Sequence, residues 1–466
     1  MLAAALGALL LLVDQPAQKL PARVLTLDQA LQLAREHQPD VRQAQARSEA
    51  ASQRANQARA VLLPDVEGLA SYERTTANFA PRPGYVPSQF LASTSNTWTT
   101  FNYYNFGLTA TELIYDFGRS SGQWRASQAS AQAEQQNTRS TWATAVLNVQ
   151  NAFFTAQARR ALSGVARENL ANQDQHLAQV QGFVEVGVRP DIDLAQARAD
   201  RANAQLQLVN AANAYEVAKA QLNQAMGVEQ DTNYDVAEAP AQPAPGEDAP
   251  IPALIDEALA RRPEVASLAQ QIRSQELTVR ALKGSYWPSL SAASTLTDAG
   301  QQMSSLAWNW GLSVTLTWGL FRGGGDVARV REAAANLRIL QAQMDGLRLS
   351  VRVQVEQARL DVRAARVGII SAQEALDNAR VRLQLAEGRY QTGIGSIIEL
   401  SDAQAALTNA AAQRVQADYS LAAARASLAY ALGAGEGGPP PRASLQTRGD
   451  LHARQGAAAT GAAAPP

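Results

Sequence analysis

The sequence contains no cysteine and only three histidines, His37, His176 and His452. Without cysteine the chain cannot form a disulfide framework, a cysteine nucleophile or a thiolate-ligated metal site, and we expect no lipid anchor on the mature N-terminus. The histidines lie far apart in the sequence, so no Ser/His/Asp arrangement is evident. We therefore expect that the protein is not an enzyme and that it uses no cofactor and no metal.

An excess of one charge is also lacking. The 466 residues include 41 Lys and Arg and 42 Asp and Glu, which gives a formal net charge of −1. Proteins that bind nucleic acid through its phosphates carry clustered positive charge, so we expect no nucleic-acid partner. The length would suit two or three ordinary domains.

Long apolar runs are scarce. The run at the N-terminus, Leu2–Val13, is too short to cross a bilayer as a helix and has the length of a signal-peptide core. We predict that residues 1–22 are a signal peptide and that the protein is exported from the cytoplasm. After Val13 no apolar run of 18 residues occurs, so a segment that crosses a membrane would have to be something other than a helix.

What the sequence does contain is an internal repeat. Residues 37–66 align with residues 261–290, and residues 114–227 align without gaps with the chain 206 positions later. Matching over more than a hundred residues indicates a duplication. The segment between the halves is rich in proline and alanine, and the C-terminal end is rich in glycine, proline and alanine. We therefore predict a first repeat, a linker, a second repeat and a disordered tail, at residues 23–237, 238–250, 251–433 and 434–466.

Each repeat has a long segment with coiled-coil spacing. In the second repeat a large residue recurs at every seventh position, with alanines between; these residues are Val355, Val362, Ile369, Leu376, Leu383 and Tyr390. This spacing, uninterrupted by proline, predicts a helix over Asp326–Gln391 of ~100 Å, with Arg119–Val186 as its counterpart. We predict two helical hairpins, 118–227 and 324–433. A structural or adhesive coiled-coil protein without a pore would show the same spacing.

In four shorter segments apolar residues alternate with small or polar ones, as they do in β-strands. In residues 308–320, WNWGLSVTLTWGL, every second residue is large and apolar and includes Trp308, Trp310 and Trp318, whereas the residues between are small or polar. Tryptophans near both ends are typical of a transmembrane strand with aromatic girdles. Residues 104–114 place Tyr104 and Phe106 on the equivalent, lipid-facing side. The partner strands are 65–73 and 289–297, and a half-buried strand in a soluble sandwich is the alternative interpretation.

Four strands are too few to enclose a membrane barrel, because known barrels need at least about eight. An open sheet edge is not tolerated in lipid. We therefore predict that the chain oligomerises to complete its own wall. Glu112 aligns with Trp318 in the repeat, and we expect it beyond the lipid at the barrel mouth.

The chain resembles the TolC family of bacterial outer-membrane efflux channels over roughly residues 25–433. The resemblance rests on the QPDV and RPEV helix starts, the LLPDV and YWPSL helix-to-strand turns, and the LIYDFG and LFRGGG strand-to-helix turns. Two glycine-containing hairpin tips complete the set. Each motif is short, but their order and their duplication make the combination specific.

The resemblance implies a homotrimer of mixed α and β structure. A 12-stranded β-barrel in the outer membrane, with four strands from each chain, would continue into a 12-helix coiled-coil barrel across the periplasm. The implied function is the exit duct of a tripartite efflux or secretion system. The implied partners are outer-membrane lipid, a periplasmic adaptor protein and an inner-membrane transporter of RND or ABC type.

The resemblance also places the hairpin tips at the periplasmic gate. Gly187 and Gly393 mark the turns, and Asp193 and Glu399 follow them by six residues each. Asp402 shares a helix face with Glu399, so three chains would present a negatively charged constriction.

For the closed state of this gate we predict a hydrogen bond from Tyr390 to Asp193 and an ion pair from Arg189. Relatives carry an arginine in place of Gly395, and Arg189 occupies the equivalent position in the first tip. Helix capping by Asp191 or Asp193 is the alternative role for these carboxylates. A standalone porin remains a further alternative for the function, and the sequence does not name the substrate.

Overall fold

The computed structural model describes residues 23–76, 98–229, 231–239, 243 and 246–434. The predicted signal peptide 1–22, and the predicted tail beyond residue 434, lie outside the described residues. None of the described helices is long and apolar enough to cross a membrane.

The chain is mostly helical. The helices are α1 (Leu27–His37), α2 (Pro39–Ala60), α3 (Arg119–Glu185), α4 (Asp191–Met226), α5 (Ile251–Arg261), α6 (Pro263–Lys283), α7 (Gly325–Gln391) and α8 (Ile397–Ala431). The strands are β1 (Arg23–Leu25), β2 (Asp65–Thr76), β3 (Thr100–Tyr115), β4 (Tyr234–Val236), β5 (Ser289–Gly300) and β6 (Ala307–Thr317). The two long helices, α3 and α7, have 67 residues each, as their uninterrupted spacing suggested.

The chain divides into two compact units. One unit contains residues 44–138 and 263–349, and the other contains the described residues before 44, residues 139–262 and those from 350 onwards. The first of these units holds the large sheet, and the second holds both hairpin tips.

The large sheet is antiparallel with the strand order β2-β3-β5-β6. Its register aligns the large apolar residues of all four strands on one face, because Tyr72 lies opposite Tyr104, Leu108 opposite Leu296, and Leu296 opposite Trp310. This face is uncovered in the single chain, where Leu312 is 63% exposed and Trp308 is 77% exposed. The alternation in the sequence therefore produces a continuous apolar surface.

Two details of the sheet differ from the prediction. Strand β6 ends at Thr317, so Trp318 and Leu320 lie beyond it, and the indole of Trp318 donates instead to the Tyr286 carbonyl at 3.2 Å. Glu112 lies within β3 opposite Ala292, and its place at the barrel mouth beyond the lipid stays a prediction. The pairing of β3 with β5 shifts register between Leu113 and Tyr115. The alignment of the two repeats does not show this bulge, because a bulge changes the pairing of strands and not the length of the aligned segments.

The unit with the hairpin tips has a core that the sequence did not reveal. Strands β1 and β4 pair in parallel, and Leu25 and Val236 are buried against Val149, Phe153 and other residues of the core. Strands of three residues are too short for an alternating pattern to be read.

Part of the predicted linker also packs against this unit. Residues 246–248 form a turn, and the carboxylate of Glu247 is buried between the guanidinium groups of Arg366 and Arg425. A buried carboxylate requires such partners, so this end of the linker is fixed to α7 and α8.

Candidate functional site at the hairpin tips

Each hairpin tip is a short turn whose second residue is a glycine in the left-handed region. Gly187 has φ +73° and Gly393 has φ +81°, a conformation in which glycine is favoured. In the first tip the backbone N–H of Val188 donates to the carbonyl of Phe183, and in the second tip Ile394 donates to Arg389. The same local chemistry therefore ends both long helices.

The second tip contains a closer approach at Gly395. Its N–H donates to the carbonyl of Arg389 at 2.8 Å. A Cβ atom at residue 395 would lie 2.9 Å from the backbone N of Tyr390 and 3.0 Å from the carbonyl carbon of Arg389. Only glycine fits at residue 395 without a backbone shift.

We expect Gly395→Ala to destabilise the second tip by about 1–3 kcal/mol, because the backbone atoms that the new methyl group meets cannot rotate away. Gly388→Ala is the matched control, since Gly388 lies within α7 with open space around it. That change should stabilise the helix by about 0.5–1 kcal/mol. Amide hydrogen exchange over residues 391–397 measures both effects, and equal exchange in the two variants would contradict the close approach.

Tyr390 is the central residue of the site. Its side chain is 1% exposed, in an apolar cluster that draws residues from α3, α4, α7 and α8. Its hydroxyl donates to Oδ2 of Asp193 at 3.3 Å, which is the hydrogen bond expected from the sequence. Burial, followed by the charge of Asp193, raises the pKa of Tyr390, so the hydroxyl remains a donor throughout the physiological range.

Arg189 contacts Tyr390 differently from the prediction. Its guanidinium lies 4.3 Å from the centre of the Tyr390 ring, and Nη2 donates to the carbonyl of Tyr390 at 2.8 Å and to that of Gly395 at 3.4 Å. The expected ion pair from Arg189 is wrong for the described residues, none of whose carboxylates lies within ion-pair distance of it. The Tyr390 carbonyl, in the last turn of α7, also accepts the N–H of Gly393, and the negative end of the helix dipole attracts the Arg189 cation there.

The carboxylates do not cap the first turn of α4. The N-cap residue is Pro190, and no side chain forms a capping hydrogen bond there. Asp193 is 6% exposed and faces Tyr390, so the capping alternative is wrong for this residue. In the second hairpin the cap is the Ser396 side chain, which accepts from the N–H of Glu399.

Glu399 and Asp402 have different surroundings. The carboxylate of Glu399 lies 3.3 Å from Nε of Arg389, a residue that the sequence analysis overlooked. The side chains of this pair are 41% and 56% exposed, so water screens the interaction strongly. Asp402 is exposed one turn further along α8. Arg389 therefore offsets part of the negative charge that a ring of carboxylates would collect.

His176 is the second residue that the sequence analysis overlooked. It is 5% exposed, and its ring packs edge-on against Tyr390 with centroids 5.6 Å apart. Desolvation by burial lowers the pKa of His176, and the charges of Asp200 and Asp193 oppose this shift in part. The signal in the sequence was the spacing of Gln173, His176 and Val180, which places two polar side chains on the buried seam of α3.

The chemistry available at the tips is reversible hydrogen bonding. In the part of the chain that the structure describes, no three His, Asp or Glu side chains are arranged to hold a metal ion. The bond between Tyr390 and Asp193, and those from Arg189 to the α7 terminus, join the first hairpin to the second. Such bonds can break and re-form as the hairpins move.

Comparison with known proteins agrees with this architecture. The family model described as outer membrane efflux protein matches residues 30–228 and 254–434. The cation efflux system protein CusC of Escherichia coli K12 is 25% identical over 393 residues, which cover 79% of this chain and 81% of CusC. The pyoverdine export outer membrane protein OpmQ of Pseudomonas putida KT2440 is 26% identical over 421 residues, or 88% of this chain and 86% of OpmQ.

A solved structure shows the same fold. The CmeC outer membrane channel of Campylobacter jejuni superposes with a TM-score of 0.75 and 20% identity, covering 88% of this chain and 86% of CmeC. The family match covers most of the sequence and includes both hairpins and all four strands of the large sheet. The chain therefore belongs to the outer membrane efflux protein family.

Proposed function

We propose that three copies of this outer-membrane efflux protein enclose a passive exit duct, closed at rest by the hairpin tips. The observation that carries the proposal is the open sheet β2-β3-β5-β6, whose outer strands β2 and β6 have no neighbour among the described residues. In lipid an unpaired strand edge costs several kcal/mol for each backbone group left without a partner. Pairing β6 of one chain with β2 of the next removes both edges.

Three chains would supply twelve strands, and the hairpin helices α3, α4, α7 and α8 of each chain would line a helical barrel. In favour of duplicated halves, the family model matches in two blocks, 30–228 and 254–434. The element order helix, strand, strand, helix, helix also occurs twice, from α2 to α4 and from α6 to α8. For the two repeats we propose the boundaries 23–237 and 251–433.

Contacts between helices of neighbouring chains are supported by a second apolar stripe on α7. Val353, Leu360 and Val367 recur every seven residues and are exposed, although the seam that contains Val355 and Val362 is buried within the chain. Heptad spacing on a second face is what a helix between two neighbours requires. Burial of this stripe would add stability to the trimer.

The partners that we propose are a periplasmic adaptor and, through it, an inner-membrane transporter of RND or ABC type. The exposed apolar side chains at the tips support an adaptor contact there. They are Val186, Val188 and Ile192 in the first tip, and Ile394 and Ile398 in the second. Apolar side chains concentrated at the end of a polar hairpin are typical of a protein contact surface.

Selectivity belongs to the transporter in this proposal. The relatives include a cation efflux system protein, a pyoverdine export protein and the toluene efflux pump outer membrane protein TtgC of Pseudomonas putida. Proteins of one fold that serve such different molecules point to a duct with no specific pocket. The contrasting function, an adhesive coiled coil without a pore, offers no role for the apolar sheet face.

Cell fractionation with chemical crosslinking tests the assembly. We expect the protein in the outer-membrane fraction, with a crosslinked species about three times the mass of one chain. A protein found only as a periplasmic monomer would contradict the duct and would favour the adhesive alternative.

A further inference from the structure

His176 is buried in the tip without a hydrogen bond. The residue lies on α3, and its Nε2 atom is enclosed and has no hydrogen-bond partner among the described residues. Most buried polar atoms in proteins are paired, and an unpaired one requires an explanation. His176 contacts the second hairpin only through the packing of its ring against Tyr390.

The charged and aromatic groups around His176 come from α4 and α7. Helix α4 contributes the carboxylates of Asp193 and Asp200, and α7 contributes Tyr390, with Arg189 against the Tyr390 ring. The neighbouring polar residues of α8 are uncharged: Ser401 donates to Asp200 at 2.8 Å, and Gln404 accepts from Gln173 at 2.9 Å. Both carboxylates near His176 therefore already accept a hydrogen bond.

A protonated imidazole would change this arrangement. The imidazolium has two N–H donors and a full charge, and both carboxylates beside it are already engaged. A charged N–H donor competes well for a carboxylate that a neutral hydroxyl holds at 3.3 Å. A carboxylate can accept several hydrogen bonds, so the imidazolium acts by drawing Asp193 toward itself and away from a Tyr390 bond that is already long.

We propose that His176 is the proton sensor of the tip, and that a proton bound from solvent at Nε2 releases Tyr390 from Asp193 and loosens the hairpins. This inference rests on the proposed function, since it regulates the same closed tip. The ligand is the proton alone, and no other group needs to bind.

The direction of the pH dependence follows from burial. The pKa of His176 is lower in the packed tip than the usual value of 6.5 in water, so the packed state binds fewer protons than a loosened one. The stability that packing contributes is complete above about pH 6.5 and is lost as the pH falls through the lowered pKa of the packed state. The tip is therefore closed at neutral pH and opens on acidification.

Single-channel conductance at pH 7.5 and pH 5.0, with purified trimers in planar bilayers, tests the sensor. We expect the wild-type conductance to rise by about fivefold at pH 5.0, the lower end of usual coupling between sites, and that of His176→Gln to change little. His37→Gln is the matched control, because His37 is exposed on α1, and it should respond as the wild type does. An equal response in His176→Gln, or none in the wild type, would overturn the sensor.

A second measurement does not depend on conduction. Because the chain has no cysteine, a single thiol can be introduced at Ala403, which is 0% exposed in the tip cluster, and another at exposed Thr392 as the reference. We expect labelling of Ala403→Cys, relative to Thr392→Cys, to rise about fivefold between pH 7.5 and 5.0, and not to rise when His176→Gln is also present.

The two measurements separate the failures of the two proposals. If labelling of Ala403→Cys rises on acidification but the protein never conducts, the result would support the proton sensor and contradict the duct. A conducting protein without acid-induced labelling would contradict only the sensor.

Discussion

Replacing both Tyr390 and Asp193, as Tyr390→Phe with Asp193→Asn, should raise the conductance of the reconstituted channel at neutral pH by about tenfold or more. A hydrogen bond to a charged group contributes about 1.5–3 kcal/mol, and every 1.4 kcal/mol changes an equilibrium tenfold. The double variant removes the bond between hairpins without leaving a buried charge, so it shifts the tip toward the open state and leaves the fold intact.

Arg389→Gln is the matched control for this experiment. It breaks a different charged contact at the tip, the pair of Arg389 with Glu399, whose side chains are both substantially exposed. Exposed pairs contribute about 0–1 kcal/mol, so the conductance should change much less than in the double variant. If the double variant conducts like the wild type, Tyr390 and Asp193 do not hold the tip closed.

Leu312→Arg should abolish assembly in the outer membrane. Leu312 lies near the middle of β6 on the apolar face of the sheet and is exposed in the single chain. An arginine at the centre of the lipid face of a membrane barrel costs about 2–4 kcal/mol, and a trimer would carry three. We expect the variant to be lost from the outer-membrane fraction in an immunoblot.

Ser313→Arg provides the comparison, because residue 313 follows directly but faces the opposite side of the sheet. A lumen-facing arginine meets water, so this variant should assemble at close to the wild-type level. Equal loss of both variants would indicate that β6 tolerates no large residue, and equal assembly would contradict the lipid-facing side.

Much of the fold follows from periodicity in the sequence. The heptad positions Val355, Val362, Leu376 and Tyr390 are buried along α7, and the alternating residues of β6 share one face with those of β3. These patterns are long, so their period identifies each element. The bond from Tyr390 to Asp193 followed from the family resemblance, and the structure places the two side chains together.

The remaining features depend on contacts that no period encodes. Strands β1 and β4 are only three residues long, and each is a strand because it pairs with the other. Arg189 bonds to carbonyl groups whose availability depends on where α7 ends, and Arg389 approaches Glu399 only across the finished turn. His176 appears in the sequence as a polar residue in the middle of a helix, and only the packing of α4 and α7 brings Asp193, Asp200 and Tyr390 near it.

The central claim is that the chain forms a passage only together with its neighbours. Single-channel recording of the purified protein tests this claim most directly. The account predicts a detergent-extracted trimer that inserts into planar bilayers and produces uniform conductance steps. A protein that stays a water-soluble monomer without detergent, and that gives no steps at any pH, would contradict it.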